Sequence, residues 1–148
     1  MILEGKFKVQ APIQKVWESM EDPKILGSCL PGTEKMEIIG EDTYEFVMKQ
    51  SVGPFKVKLK SEAKLTEKRP PNYCKVVGKG ADITKLGTFT FDMEFNLAEP
   101  SPNNVQVSYK VNYSMVGRLA TFGERIMRAK AGELNEQFTR NLQSKLKG

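Results

Sequence analysis

The sequence predicts an α+β domain: a curved, seven-stranded antiparallel sheet wrapped around a long C-terminal helix, with two short helices after the first strand. Three observations carry this. Segments of alternating apolar and polar residues recur from residue 2 to residue 115, as in strands covered on one face and wet on the other. From about Val116 the period lengthens: Leu119, Phe122, Ile126, Met127, Ala131, Leu134, Phe138, Leu142 and Leu146 recur at three- and four-residue steps, the stripe of an amphipathic helix. Roughly 30 helical residues reach about 45 Å, while a ten-residue strand reaches about 33 Å. This helix is therefore the element able to cross the whole sheet and cover it.

The elements follow in order. Leu3, Phe7 and Val9 alternate with Glu4, Lys6 and Lys8 in a first strand. Ala11-Pro12 opens a short helix whose apolar face is Ile13, Val16, Trp17 and Met20; proline is tolerated in a first helical turn. Asp22-Pro23 starts a second, with Asp22 as cap and Pro23 at the first helical position. Strands are then expected at Thr33 to Ile39, Thr43 to Lys49, Phe55 to Leu65, Tyr73 to Val77, Thr88 to Leu97 and Val105 to Met115. The third of these is the clearest: Phe55, Val57, Leu59, Ala63 and Leu65 alternate with lysines and Glu62, and only Ser61 interrupts the apolar set. Gly53-Pro54 supplies the preceding turn. Gly123 and Gly132 inside the long helix suggest a close strand or a slight kink, since each costs roughly 1 kcal/mol relative to alanine.

Composition bounds the function. At 148 residues the chain is expected to be one domain, residues 1–148, large enough to fold without disulfides. It has no run of ~20 apolar residues and no signal-peptide core at its start. Cys29 and Cys74 are expected to be reduced thiols in a cytoplasmic protein. There is no histidine, which removes Ser-His-Asp and Cys-His catalysis and leaves no plausible zinc set; no metal or other cofactor is expected. The net charge of +5 suits an acidic partner or a membrane surface but is too small to imply nucleic acid. Residues 117–148 carry seven Lys or Arg against three Glu, a net of +4, read either as a solvated helix face or as a docking patch.

One helix cannot cover seven strands completely, so an apolar pocket is expected where the sheet and long helix splay apart near the short helices. Its candidate ligand-binding residues are Trp17, Leu26 and Leu30 from the short helices, and Phe46, Phe55, Phe91, Met93, Tyr109 and Tyr113 from the strands. Leu119, Phe122 and Ile126 join them from the first half of the long helix. Any one of them taken alone reads better as ordinary core; it is the mixture of Phe, Met and Tyr that suits an adaptable small-molecule site. The segment Gly78 to Gly87 holds three glycines and reads either as an entrance lid, with Ile83 and Leu86 at the mouth, or as a flexible hairpin.

Two segments carry a family resemblance. Asp22-Pro23-Lys24-Ile25-Leu26-Gly27-Ser28-Cys29-Leu30-Pro31-Gly32 resembles the DPxxLxxCLPG signature of the carbon monoxide dehydrogenase G-subunit family, and Gly117 to Arg125 resembles the start of that family's long helix. Gln137-Phe138, Val52-Gly53-Pro54-Phe55 and Gly78-Lys79-Gly80 also sit where the family has such residues or turns. The resemblance implies the START-like, helix-grip superfamily, whose members bind lipids, sterols and polyketides. It also implies an accessory protein of a molybdenum-containing carbon monoxide dehydrogenase, linking that enzyme to the membrane or the quinone pool and carrying none of its redox cofactors. Some members continue into a hydrophobic tail; because this chain stops at Gly148, any contact with the inner face of the membrane is expected to be peripheral and weak.

The expected function is a non-catalytic holder of a lipid or quinone. The alternatives are a cyclase or hydrolase using Asp82, Glu45, Glu94 or Tyr109, and a ligand-free assembly protein. Strand parity puts Glu45 and Glu94 on the solvent side, and no catalytic residue is assigned. A pocket well below about 300 Å³ would favour the ligand-free alternative.

Overall fold

The computed structural model describes residues 1–147. Strands β1 (Ile2–Val9), β2 (Thr33–Gly40), β3 (Thr43–Val52), β4 (Phe55–Arg69), β5 (Tyr73–Asp82), β6 (Gly87–Ser101) and β7 (Asn104–Gly117) form one antiparallel sheet in the order β1-β7-β6-β5-β4-β3-β2. β2 to β7 are thus an unbroken meander, and β1 pairs with the outer side of β7. The two edges of the sheet are bridged by α1 (Ile13–Glu21) and α2 (Pro23–Cys29). The Asp22 carboxylate accepts from the Lys24 backbone N–H at 2.9 Å, and Pro23 occupies the first turn of α2.

Helix α3 (Gly123–Lys147) follows a 3-10 turn at Arg118–Phe122. It runs beside β1 as well as over the concave face. β1 is an edge strand, whose unpaired backbone groups need partners or cover. Gln143 meets both Gln10 backbone groups, accepting from its N–H at 2.7 Å and donating to its carbonyl at 3.1 Å. Asn135 Nδ2 donates to the Lys6 carbonyl at 3.4 Å. Inward, Phe138 meets Phe7 edge to face at a centroid distance of 5.7 Å, and Leu142 is 1% exposed.

Two apolar clusters result. The larger gathers Phe7, Val9, Val16, Trp17, Cys29, Leu97, Val107, Phe138 and Leu142 under the short helices. The smaller packs Val52, Val57, Leu119 and Phe122 with Phe55, Leu86 and Phe89 at the opposite end. Among the described residues no helix is long and apolar enough to cross a membrane.

Two local expectations change. β5 does not end at Val77 but continues to Asp82, so Gly78-Lys79-Gly80 is strand, and the connection shrinks to residues 83–86. The glycines are there for close approach: a Cβ on Gly78 would collide with the Phe91 ring, and one on Gly80 would lie 2.5 Å from Ser61 Oγ and 2.6 Å from Phe89 Cζ. The regular helix begins at Gly123, not near Val116, because Gly123 (φ +74°) turns the chain out of the 3-10 segment. No strand presses on Gly123 or Gly132; nothing lies within 4 Å of where a Cβ would stand on either.

Candidate functional site

A cavity of about 360 Å³ lies between the concave face of the sheet, the short helices and α3. Its origin is legible in the register. Ala63 on β4 pairs with Gly78 on β5, which pairs with Phe91 on β6. Across the gap the helix presents Ala131. Small residues on both sides leave space that neither floor nor roof fills. Trp17 and Met20 of α1, together with Leu26 and Leu30 at α2, close one side, and Leu134 and Phe138 of α3 close another.

The structure places seven of the twelve expected residues on the cavity wall: Trp17, Leu26, Leu30, Phe46, Phe91, Met93 and Tyr109. The other five do not line it. Leu119 and Phe122 belong to the smaller cluster, where Phe122 packs on Phe55 at 5.2 Å between ring centroids. Tyr113 is buried elsewhere, its hydroxyl donating to Met1 Sδ at 3.0 Å, and Ile126 is exposed. The roof is accordingly the middle of α3, not its first half, because the 3-10 turn and the first turns of the helix seal the far end.

Neither lid residue reaches the cavity. Ile83 is 53% exposed, and Leu86 packs into the smaller cluster. The connection is a fastened turn. The Asp82 carboxylate accepts from the backbone N–H groups of Lys58 (2.9 Å), Thr84 (2.9 Å) and Leu86 (3.3 Å), and from the Thr84 hydroxyl. Burial works to raise the Asp82 pKa, but these hydrogen bonds outweigh it and hold the carboxyl below its ordinary value.

The other candidate acids also lie off the wall. Glu45 pairs with Lys35 at 3.3 Å, and Glu94 accepts from the Tyr73 hydroxyl at 3.0 Å. Among the described residues Glu21 is the one acidic residue on the wall, and sequence reasoning missed it; Lys68 Nζ stands 3.7 Å from its carboxylate. The Tyr44 hydroxyl, also at the wall, donates to the Glu21 backbone carbonyl at 2.9 Å. Burial raises the Tyr109 phenol, and it pushes the Cys74 thiol up to about 11. Both cysteines are free and buried. Among the described residues no three His, Cys, Asp or Glu gather as a metal site. Such a chamber can hold an apolar molecule; it offers few groups for moving protons.

Leu3, Phe7, Ala63, Leu65, Phe95 and Val111 on the wall share the apolar strand faces and could have been found by parity alone. Asn135 could not, because nothing in its local pattern marks a polar residue as inward-facing.

Comparisons with known proteins agree with this architecture. The family model for the G-subunit of carbon monoxide dehydrogenase (CoxG) matches residues 5–147. No curated protein matches. Among solved structures, a conserved protein from Geobacillus kaustophilus superposes with a TM-score of 0.90 at 23% identity, covering 99% of this chain and 95% of that one. A START superfamily protein from Mycobacterium smegmatis gives 0.73 at 8% identity, covering 99% and 97%. The Zhui aromatase/cyclase from Streptomyces sp. R1128 gives 0.70 at 15%, covering 99% and 93%. At these identities the likeness is one of fold.

Proposed function

The chain belongs to the CoxG family, named for the G-subunit of carbon monoxide dehydrogenase, and we propose that it is a non-catalytic accessory protein holding a hydrophobic small molecule in the cavity beneath α1 and α2. The observation that carries this reading is a chamber of about 360 Å³ with almost wholly apolar walls, within the range of small-molecule sites and above the floor of about 300 Å³. A chamber of that size suits an apolar ring such as a quinone, or a stretch of one acyl chain.

The partner in this reading is a carbon monoxide dehydrogenase or a related molybdenum hydroxylase, which the protein would link to the membrane or to an electron acceptor. One end of the molecule supports a peripheral contact with anionic lipid. Val116 (66% exposed), Ile83 and Ile126 project there, with Lys85, Arg118 and Arg125 close to them in the chain. Basic residues near such a surface contribute about 1 kcal/mol each, so the contact would be weak and salt-sensitive.

Catalysis on an apolar substrate has less support. Asp82 is committed to its turn, and the wall carboxylate, Glu21, has a lysine beside it. Native mass spectrometry of gently purified protein, followed by titration with a short-chain quinone read by Trp17 fluorescence, tests the holding reading. The expected result is a co-purifying apolar ligand or saturable binding. Failure of the protein to carry or take up any apolar molecule overturns the reading.

A further inference from the structure

A lysine interrupts the inward stripe of α3. Met127 packs on the smaller cluster, and Ala131, Leu134 and Phe138 line the cavity. Lys130 comes three residues after Met127 and four before Leu134, so it stands at the margin of the same helix face. Its side chain is only 14% exposed. Among the described residues its one ion pair is to Glu133 Oε2 at 3.7 Å, beyond hydrogen-bond length, and Glu133 itself is 56% exposed. A largely buried ammonium is costly unless a counter-charge bonds to it. Methionine would fill the same space without that cost. Lys130 lines an open cleft of about 540 Å³ between α3 and strands β3 and β4. This cleft borders the cavity on two sides. On α3, Lys130 and Glu133 line the cleft, while their chain neighbours Ala131 and Leu134 line the cavity. Opposite, Gln50 lines the cleft, and its Nε2 donates at 2.6 Å to the carbonyl of Pro31, the residue after the wall residue Leu30. The two spaces differ in character. The cavity wall is almost wholly apolar, whereas the cleft is lined by Lys49, Lys56, Lys58 and Lys130 against one glutamate. Glu34 bonds to Lys49 and Lys58 at 3.1 and 2.9 Å, and Lys130 is left without a bonded carboxylate.

Resting on the holding role argued above, we propose that the held molecule is an acidic amphiphile: its apolar part fills the cavity, and an oxyanion at its end, carboxylate or phosphate, reaches Lys130 in the cleft. The lysine then both selects and orients the ligand, with the acid toward the β3–β4 hairpin and the apolar end under the short helices. A neutral hydrocarbon or alcohol leaves the ammonium without its counter-charge. A small free oxyanion meets the lysine but gains nothing from the cavity. An amphiphile with an acidic end is the class that uses both spaces.

Calorimetric titration of the unmodified chain with decanoate, decyl phosphate, 1-decanol and inorganic phosphate tests this. At low salt at least one of the two decyl anions should bind about tenfold tighter than 1-decanol, as a charge-assisted hydrogen bond at a partly exposed site would give. The advantage should shrink in about 0.5 M salt. The tighter of the two anions tells carboxylate from phosphate, and inorganic phosphate alone should bind far more weakly than either. In Lys130→Met the advantage should fall to within about twofold while 1-decanol binds as before, and Lys130→Arg should keep most of it. Equal binding of the decyl anions and 1-decanol, or an advantage that survives Lys130→Met, overturns the inference while leaving the holding role intact. Inorganic phosphate binding as tightly as decyl phosphate also overturns it, because the anion site would then be independent of the cavity. If none of the three decyl probes binds, the holding role itself falls and this inference with it. Should Lys130→Met fail to fold, Lys130→Gln and the comparison of acid with alcohol on the unmodified chain still decide.

Discussion

Gly5→Ala is the sharpest probe of how the cavity floor is assembled. Gly5 on β1 pairs with Tyr109 on β7, and the Tyr109 ring lies across it. A methyl added at Gly5 would stand 2.9 Å from Tyr109 Cε1, with Cζ and the hydroxyl oxygen nearer still. The ring must retreat by roughly an ångström to regain an ordinary van der Waals separation. Phe7 and Phe95 flank it at centroid distances of 6.5 and 6.1 Å, which leaves the cavity as the open direction. Overpacking of this kind costs about 1–3 kcal/mol. Leucine at position 109 lacks the atoms that collide, so in a Tyr109→Leu background Gly5→Ala should return the ~0.5–1 kcal/mol that alanine gains over glycine in a strand. The expected coupling between the two sites is the difference, about 1.5–4 kcal/mol. Urea unfolding of the four proteins, followed by Trp17 fluorescence, measures it. The displaced ring should also weaken uptake of apolar probes by Gly5→Ala alone. A coupling below about 0.5 kcal/mol, with probe binding unchanged, would refute the placement of Tyr109 on the floor.

Two further outcomes are expected. The Asp82 carboxyl titrates below its ordinary value in the folded state, so its stabilisation is complete above about pH 4 and is lost as pH falls through the folded value. Asp82→Asn should therefore be less stable than the parent at pH 7, with the gap closing below pH 4; a gap constant with pH in urea midpoints would contradict this. Cys74, with its thiol pushed up to about 11 against an ordinary 9.0, should react with a thiol reagent at pH 8 about a hundredfold more slowly than in the unfolded chain, because the thiolate is the nucleophile. A native labelling rate within tenfold of the unfolded rate would show the site to be open.

Strand parity, the change of period near Val116, and the Asp22-Pro23 helix start are all properties of short stretches, set by backbone geometry and burial of one face. They were sufficient for the seven strands, the two short helices and the covering helix, and for a cavity near the short helices. They also placed Trp17, Phe46, Phe91, Met93 and Tyr109 on the inner face. Parity says which face a residue joins, not whether the space above it is filled. Only the tertiary structure decided that Phe55, Leu119 and Phe122 close one end as a packed cluster while Ala63, Gly78 and Ala131 leave room in the middle. Emptiness depends on volumes contributed by segments far apart in the chain, so no local pattern reports it. The same holds for the Gly78–Asp82 stretch, which reads as a loop by its glycines and is strand because two phenylalanines of β6 lie across it. Asn135 is the extreme case: a polar residue whose inward position exists only because α3 lies against the edge of β1, where the Lys6 carbonyl meets its amide.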